Sequence, residues 1–240
     1  MKIFNNTKIP KNFKGSALAI GNFDGVHVGH KKVFQQTKKI AKKKKIKFGV
    51  LTFTPLPVMF FNKKIKNYRL TSEDQKLKLF KKSKVDFTIN IKFNKKFSVI
   101  GAEDFIKKII YKKLNPELLA VSNNFKFGKN RKGDVNLLEK FSNKYDYHLL
   151  NIKPFKHSKK IVSSTKIRKC LKRGHVNLAN KLLSRTWFIE GEVKKGKKIG
   201  RKLGYRTCNI NVKNYILPKP GIYAVKVLIG NKKYIYGGVA

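Results

Sequence analysis

The 240-residue sequence predicts an α/β fold, a doubly wound parallel sheet followed by a small, incomplete β-barrel. Three observations predict it. Apolar runs of strand length alternate with amphipathic stretches from the N-terminal region to about residue 155, which is βαβ order. The first run, Leu18-Ala-Ile, passes through a glycine turn directly into a Lys-rich amphipathic helix. From Trp187 onward the texture changes to short alternating segments separated by Gly/Lys-rich loops, the pattern of a β unit. Two domains are expected, residues 1–184 and 185–240.

The elements follow in order. After the first strand and helix, Phe48-Gly-Val-Leu-Thr-Phe supplies a second buried strand. Thr71-Ser-Glu-Asp caps a helix ahead of Leu77, Leu79 and Phe80, and residues 85–91 read as the next strand. A helix over 103–113, a strand at 118–121, a helix near 134–144 and a strand at 147–152 complete the alternation. Hydroxyls at Ser163, Ser164 and Thr165 start another helical region that ends near Leu183. Strands are expected at 187–193, 206–210 and 221–229, with a further strand beginning where the chain stops, at Gly237-Gly-Val-Ala240. Too few residues follow Trp187 to close a barrel of about six strands.

Composition narrows the function. Fifty-eight Lys and Arg against 12 Asp and Glu give a formal charge of +46, which attracts nucleic acid or any polyphosphate. The lysines are spread along the chain and no nucleic-acid-binding motif accompanies them, so small phosphorylated substrates are expected rather than a nucleic-acid surface, and no obligate protein partner. Cys170 and Cys208 have neither disulfide nor zinc spacing, which suits a reducing, cytoplasmic compartment. The N-terminus lacks a signal-length apolar stretch and the longest apolar region, 48–61, is broken by Pro55 and Pro57, so no membrane segment is expected.

The chemistry concentrates at residues 21–30. Gly21-Asn-Phe-Asp-Gly25 lets backbone approach a ligand, and Gly29-His30 opens a helix whose free N–H groups suit phosphate. His27 and His30 share one side of a turn, where they hydrogen-bond phosphate oxygens and, if protonated, offset developing negative charge. A metal site is the weaker reading, because there is no His-Glu-x-x-His and no Cys nearby. No Gly-x-x-x-x-Gly-Lys-Ser/Thr loop is present, which argues against a P-loop kinase. Downstream, Ser122-Asn-Asn-Phe-Lys-Phe-Gly follows a strand as a candidate nucleotide or flavin loop, and Arg168 follows Ser164 by four residues, a possible phosphate clamp.

In this order these strings resemble the bacterial bifunctional riboflavin kinase/FAD synthetase family. They are Gly21-Asn-Phe-Asp-Gly-Val-His27-x-Gly29-His30, Thr52-Phe-x-Pro-x-Pro57, Arg69-Leu-Thr, Asn124-Phe125-x-Phe-Gly, Lys132-Gly-Asp, Ser163-Ser164-Thr165-x-Ile-Arg168 and Gly200-Arg201-x-Leu-Gly-Tyr-x-Thr207-x-Asn209. The resemblance implies a Rossmann-like nucleotidyltransferase domain that moves AMP from ATP onto FMN, giving FAD and pyrophosphate, with a riboflavin kinase barrel behind it. It implies that His27, His30 and Arg168 serve catalysis, while Gly21, Asn22, Phe23, Asp24, Gly25, Gly29, Asn124, Phe125, Ser163, Ser164 and Thr165 bind nucleotide or flavin. In the kinase part it implies ATP and Mg²⁺ binding by Gly200, Arg201, Thr207 and Asn209, with Thr207 as the magnesium ligand. The sequence departs from the family at Arg206 and Cys208, where Pro and Ala are usual, at Ser122 for Gly, and at Thr54 and Leu56 for Glu and His. The family's acidic base lies in a segment beyond Ala240, so a truncated kinase part is expected. Two other readings stay open: a nucleotidyltransferase for another phosphate acceptor, and a nucleic-acid-binding protein with a degenerate Rossmann-like domain.

Overall fold

The computed structural model describes residues 1–158, 160–194, 204, 207–212, 214–230 and 235–240. Six strands form one parallel sheet: β1 (Lys2–Phe4), β2 (Ala17–Ile20), β3 (Phe48–Thr54), β4 (Phe87–Lys92), β5 (Leu118–Ser122) and β6 (His148–Ile152). Their spatial order is β1-β4-β3-β2-β5-β6. From β2 the chain steps one way to β3 and β4, then returns to lay β5 on the other side of β2. That reversal is the switch point of the sheet, and sheets of this kind bind ligands there, beyond the carboxyl ends of the strands. β1 was not expected from the sequence; it is a three-residue edge strand pairing with β4.

Strand alternation divides the core into two layers. Leu18, Ile20, Leu51, Phe53, Leu119 and Val121 face one side, whereas Ala17, Ala19, Phe48, Val50, Leu118 and Ala120 face the other. The second layer is covered by α1 (Val28–Lys43) through Val33, Phe34 and Ala41, and by α3 (Glu73–Lys82) through Leu79 and Phe80. Short α2 (Pro57–Phe61) and α4 (Lys95–Ser98) follow β3 and β4 respectively. The first layer is covered by α5 (Ala102–Asp104), which runs on as π-helical Phe105–Leu114, and by α6 (Val135–Ser142). Gly49 in β3 is required by this packing: a Cβ there would stand 2.2 Å from the ring of Phe87.

A third apolar cluster holds the end of the α/β unit together. In it Ile167, Leu171, Ala179, Leu182 and Leu183 of α7 (Ser164–Lys172) and α8 (Val176–Leu183) enclose Leu70 and Ile216, with Trp187 against them. A short hairpin, β7 (Lys156–His157) with β8 (Lys160–Ile161), precedes α7. The remaining strands pair only locally: β9 (Val193–Lys194) with β10 (Asn209–Ile210), and β11 (Ala224–Leu228) with β12 (Ile235–Val239), both antiparallel.

Three expectations for this region need correction. Residues 187–192 are not a strand, because their polar groups bond elsewhere. The Trp187 N–H donates to Asn180 Oδ1 and its indole N–H to the Leu70 carbonyl, while the Phe188 carbonyl accepts from Gln75 and the Glu190 N–H reaches the Tyr215 hydroxyl. The strands expected at 206–210 and 221–229 are shorter among the described residues, 209–210 and 224–228, with Arg206 outside them. The strand expected to begin at Gly237 begins at Ile235 and pairs with β11 through Val239.

Candidate active site

The turn between β2 and α1 is built around an unusual cap. His27 occupies the N-cap of α1 with extended backbone, and its Nδ1 accepts from the N–H groups of Gly29 (3.1 Å) and His30 (3.3 Å). Gly29 makes this possible, since a Cβ there would lie 3.0 Å from His27 Cε1. The two imidazoles stack, with centroids 3.6 Å apart and planes 20° from parallel, and Phe23 meets His30 edge-on at 5.2 Å.

This corrects one expectation: the N–H groups of Gly29 and His30 do not face a ligand, because the His27 ring accepts from them. The imidazoles are held neutral: burial, then Arg168 and Arg185, lowers His27 to about 4, and burial, then His27, Arg168 and Arg185, takes His30 well below its ordinary value. With Nδ1 accepting, neutral His27 carries its proton on Nε2, which makes that atom a hydrogen-bond donor. His30 Nδ1 is buried and has no partner.

Asp24 locks the same turn from below. Its carboxylate accepts from the N–H of Leu70 (3.1 Å) and Thr71 (3.3 Å), and it pairs with the Arg168 guanidinium. Both side chains are buried, Asp24 4% and Arg168 8% exposed. Arg168 also donates from Nε to the Tyr68 carbonyl (2.8 Å) and lies 3.7 Å above the Tyr68 ring. Ser164 Oγ donates to the Asp24 carbonyl at 2.8 Å, and Ser163 caps α7 by accepting from the Lys166 N–H. Gly25, with φ of +83°, has no room for a Cβ, which would meet Leu70 Cδ1 at 2.7 Å. Residues 21–30, 68–71 and the start of α7 therefore meet in one place.

Other expected residues are placed differently. Asn22 and Thr165 are exposed, and Gly21 closes over the Phe23 ring. Asn124 is exposed beyond β5, where its Oδ1 accepts from Ser122 Oγ (2.8 Å), and Phe125 stacks on Phe127 at 5.4 Å. No hydrogen bond joins this loop to the histidine turn among the described residues. Thr207 and Asn209 are exposed, whereas Gly200, Arg201 and Arg206 lie outside the described residues.

Three features escaped the sequence reading. Lys76 of α3 is buried beneath the turn, its Nζ donating to Thr52 Oγ1 (3.1 Å), which in turn donates to the Asn22 carbonyl (3.1 Å). Burial, then Arg69, lowers it to about 8 against the opposing pull of Asp24 and Glu73. Beyond the carboxyl ends of β3 and β4, Phe53, Phe60, Phe61, Phe93 and Phe97 form an aromatic cluster whose outermost ring, Phe61, is 67% exposed. The third is Arg185, just past α8, whose charge acts on both histidines. Among the described residues no group of three or more His, Cys, Asp or Glu side chains is arranged to hold a metal ion.

The FAD synthetase family profile matches residues 9–166, and the riboflavin kinase profile matches residues 183–240. A bifunctional riboflavin kinase/FMN adenylyltransferase of Buchnera aphidicola subsp. Schizaphis graminum is 43% identical over 235 residues, covering 97% of this chain and 74% of that protein. The Escherichia coli K12 protein of the same name is 33% identical over 231 residues, with coverage of 96% and 73%. A crystal structure described as a macrolide-efflux protein from Streptococcus pneumoniae superposes with a TM-score of 0.83 at 25% identity, covering 99% of this chain and 77% of that one. Among the described residues of the present chain no helix is long and apolar enough to cross a membrane. With a histidine pair at the switch point of the sheet and both profiles matching in order, the chain belongs to the bifunctional riboflavin kinase/FMN adenylyltransferase family.

Proposed function

We propose that the α/β unit transfers AMP from ATP to FMN at the β2–α1 turn. The observation that carries this reading is the stacked, neutral His27–His30 pair at the switch point of the sheet, held over the Asp24–Arg168 pair. A phosphate oxygen of FMN attacks the α-phosphorus of ATP. The bond from that phosphorus to the α,β-bridging oxygen breaks, pyrophosphate departs, and FAD is formed. No covalent protein intermediate is needed, so the residues work by alignment and charge stabilisation.

His27 Nε2–H is a donor to the phosphate oxygens, and its fixed tautomer keeps it one. The ring of His30 backs it and contributes a buried nitrogen without a protein partner. Arg168 spends Nη2 on Asp24 and Nε on Tyr68, so its first task is to hold the turn, leaving Nη1 for a phosphate. Asn22 after β2 and Asn124 after β5 offer exposed amides, and Thr165 an exposed hydroxyl. The aromatic cluster ending in Phe61 is our candidate surface for the flavin ring, which is planar and largely apolar.

Magnesium enters as part of the substrate MgATP, coordinated by the phosphates, since Asp24 is committed to Arg168. The segment from Trp187 is the riboflavin kinase part, and Thr207 and Asn209, both exposed, are its candidates for ATP and Mg²⁺. The substrates and the free cysteines Cys170 and Cys208 favour the cytoplasm.

Flavin chromatography tests the reading. Purified protein with MgATP and FMN is expected to give FAD, with His30→Ala lowering the rate by orders of magnitude. The same assay with riboflavin reads the kinase part separately. Failure of wild-type protein to convert FMN would reopen the other-acceptor and nucleic-acid readings.

A further inference from the structure

We propose that Arg185 is a phosphate ligand of the adenylyl-transfer site, gripping the triphosphate of ATP from the segment that leads into the riboflavin kinase part. The inference rests on the reading above that the β2–α1 turn takes ATP. It adds a residue that lies outside the FAD synthetase match at 9–166 and inside the riboflavin kinase match at 183–240.

The backbone around Arg185 is fixed. After α8 ends at Leu183, Ser184 adopts a left-handed conformation (φ 49°, ψ 36°) that turns the chain, and the Arg185 N–H donates to the Asn180 carbonyl at 3.2 Å. Ser184 Oγ accepts from Lys31 Nζ, tying this corner to the first turn of α1. Leu183 itself reaches the glycine turn, since a Cβ on Gly25 would lie 3.4 Å from its Cδ2.

The side chain is not satisfied there. Nη1 reaches only the Leu183 carbonyl, at a long 3.4 Å, while Nε and Nη2 are buried with no hydrogen-bond partner. Arg168, which acts on the same two histidines, has Asp24; Arg185 has no carboxylate within 4.0 Å among the described residues. Burial lowers its affinity for its own proton, to about 10, and its charge depresses His27, His30 and Lys31 in turn.

Buried guanidinium nitrogens without acceptors are rare in folded proteins, and they sit here beside a second buried orphan, His30 Nδ1. Both belong to a corner whose charged groups are Arg168, Arg185 and Lys31, with one acid already paired. An incoming group must bring several acceptor oxygens and negative charge. Phosphate does both, and a guanidinium fork matches it.

The test separates phosphate recognition from structure. FAD formation from FMN is inhibited by inorganic tripolyphosphate and by adenosine, each competing with ATP, in wild-type protein, Arg185→Gln and Arg185→Lys. Expected are a rise of tenfold or more in both the KM for ATP and the tripolyphosphate inhibition constant in Arg185→Gln, an intermediate value in Arg185→Lys, and unchanged inhibition by adenosine. Wild-type inhibition by tripolyphosphate in Arg185→Gln overturns the proposal, as does equal weakening of both inhibitors, which marks a structural role. If Arg185→Gln does not fold, Arg185→Lys decides by the same ratio. Wild-type protein that makes no FAD overturns the parent reading, a failure visible before any variant is compared.

Discussion

The two sides of the candidate site differ in how their polar groups are used. On the Asp24 side the carboxylate and the groups around it are paired within the protein: the carboxylate accepts from Leu70, Thr71 and Arg168, the Thr71 hydroxyl accepts from the Gly25 N–H, and Ser164 donates to the Asp24 carbonyl. On the His30 side, one imidazole nitrogen and two guanidinium nitrogens of Arg185 are buried with none. A closed network fixes a shape; an open one costs stability unless a ligand completes it. The first side is therefore the frame and the second is the working surface.

The sharpest way to break this contrast is to remove the centre of the frame. Asp24→Ala leaves the Arg168 guanidinium buried without a counter-charge and strips Leu70 and Thr71 of their acceptor, so a loss of about 3–5 kcal/mol is expected in urea unfolding. A loss below about 1 kcal/mol would show that the Asp24 side is no frame.

On the working side the expected effect falls on rate instead. His27→Asn keeps a side-chain oxygen to accept the first helical N–H groups, so stability at neutral pH should change by less than about 1 kcal/mol. FAD formation should nevertheless fall about 10²–10³-fold, because a phosphate donor is lost. Steady-state kinetics beside urea melts would show whether the two effects separate as claimed.

Acid should act on the same residue. His27 binds a proton near 4 in the folded protein against 6.5 in the open chain, so between those values the unfolded state carries more protons. Stability contributed by the neutral ring is complete above 6.5 and drains as pH falls toward 4, by up to about 3 kcal/mol. His27→Asn should flatten that limb of the curve of stability against pH. An unchanged slope in the variant would assign the acid sensitivity to other groups.

Much of this was legible in the sequence, and what was not has physical reasons. Strands β2 to β6 and the helices α1, α3, 105–114 and α6 followed from long apolar runs and caps such as Ser72, which with Gln75 forms a capping box. β1 escaped because three residues at a sheet edge carry no periodicity. Residues 187–192 misled because an apolar-polar alternation cannot reveal that its backbone bonds go to Asn180, Gln75 and Tyr215. His27, His30 and Arg168 were visible through their motifs, but their division of labour was not, since it depends on Tyr68 and on Asp24 accepting from residues 46 and 47 positions away. Lys76 and Arg185 read as ordinary surface cations in a chain of formal charge +46, and only burial distinguishes them.

The smallest effect probes the seam between the frame and α7. Ser164 Oγ contributes one hydrogen bond, to the Asp24 carbonyl, from a side chain that also stands in the first turn of the helix. Ser163, not Ser164, caps that helix, so Ser164→Ala removes the bond without uncapping it. Alanine is also the better helix former at the position, by a few tenths of a kcal/mol, which offsets part of the loss. The net cost should therefore be about 1 kcal/mol or less. Because the Asp24 carboxylate keeps all its partners, Arg168 should stay in place and the KM for FMN should move less than about threefold. A larger change in KM than in stability would mean that Ser164 turns its hydroxyl to substrate when the site fills, and would move it from the frame to the working surface.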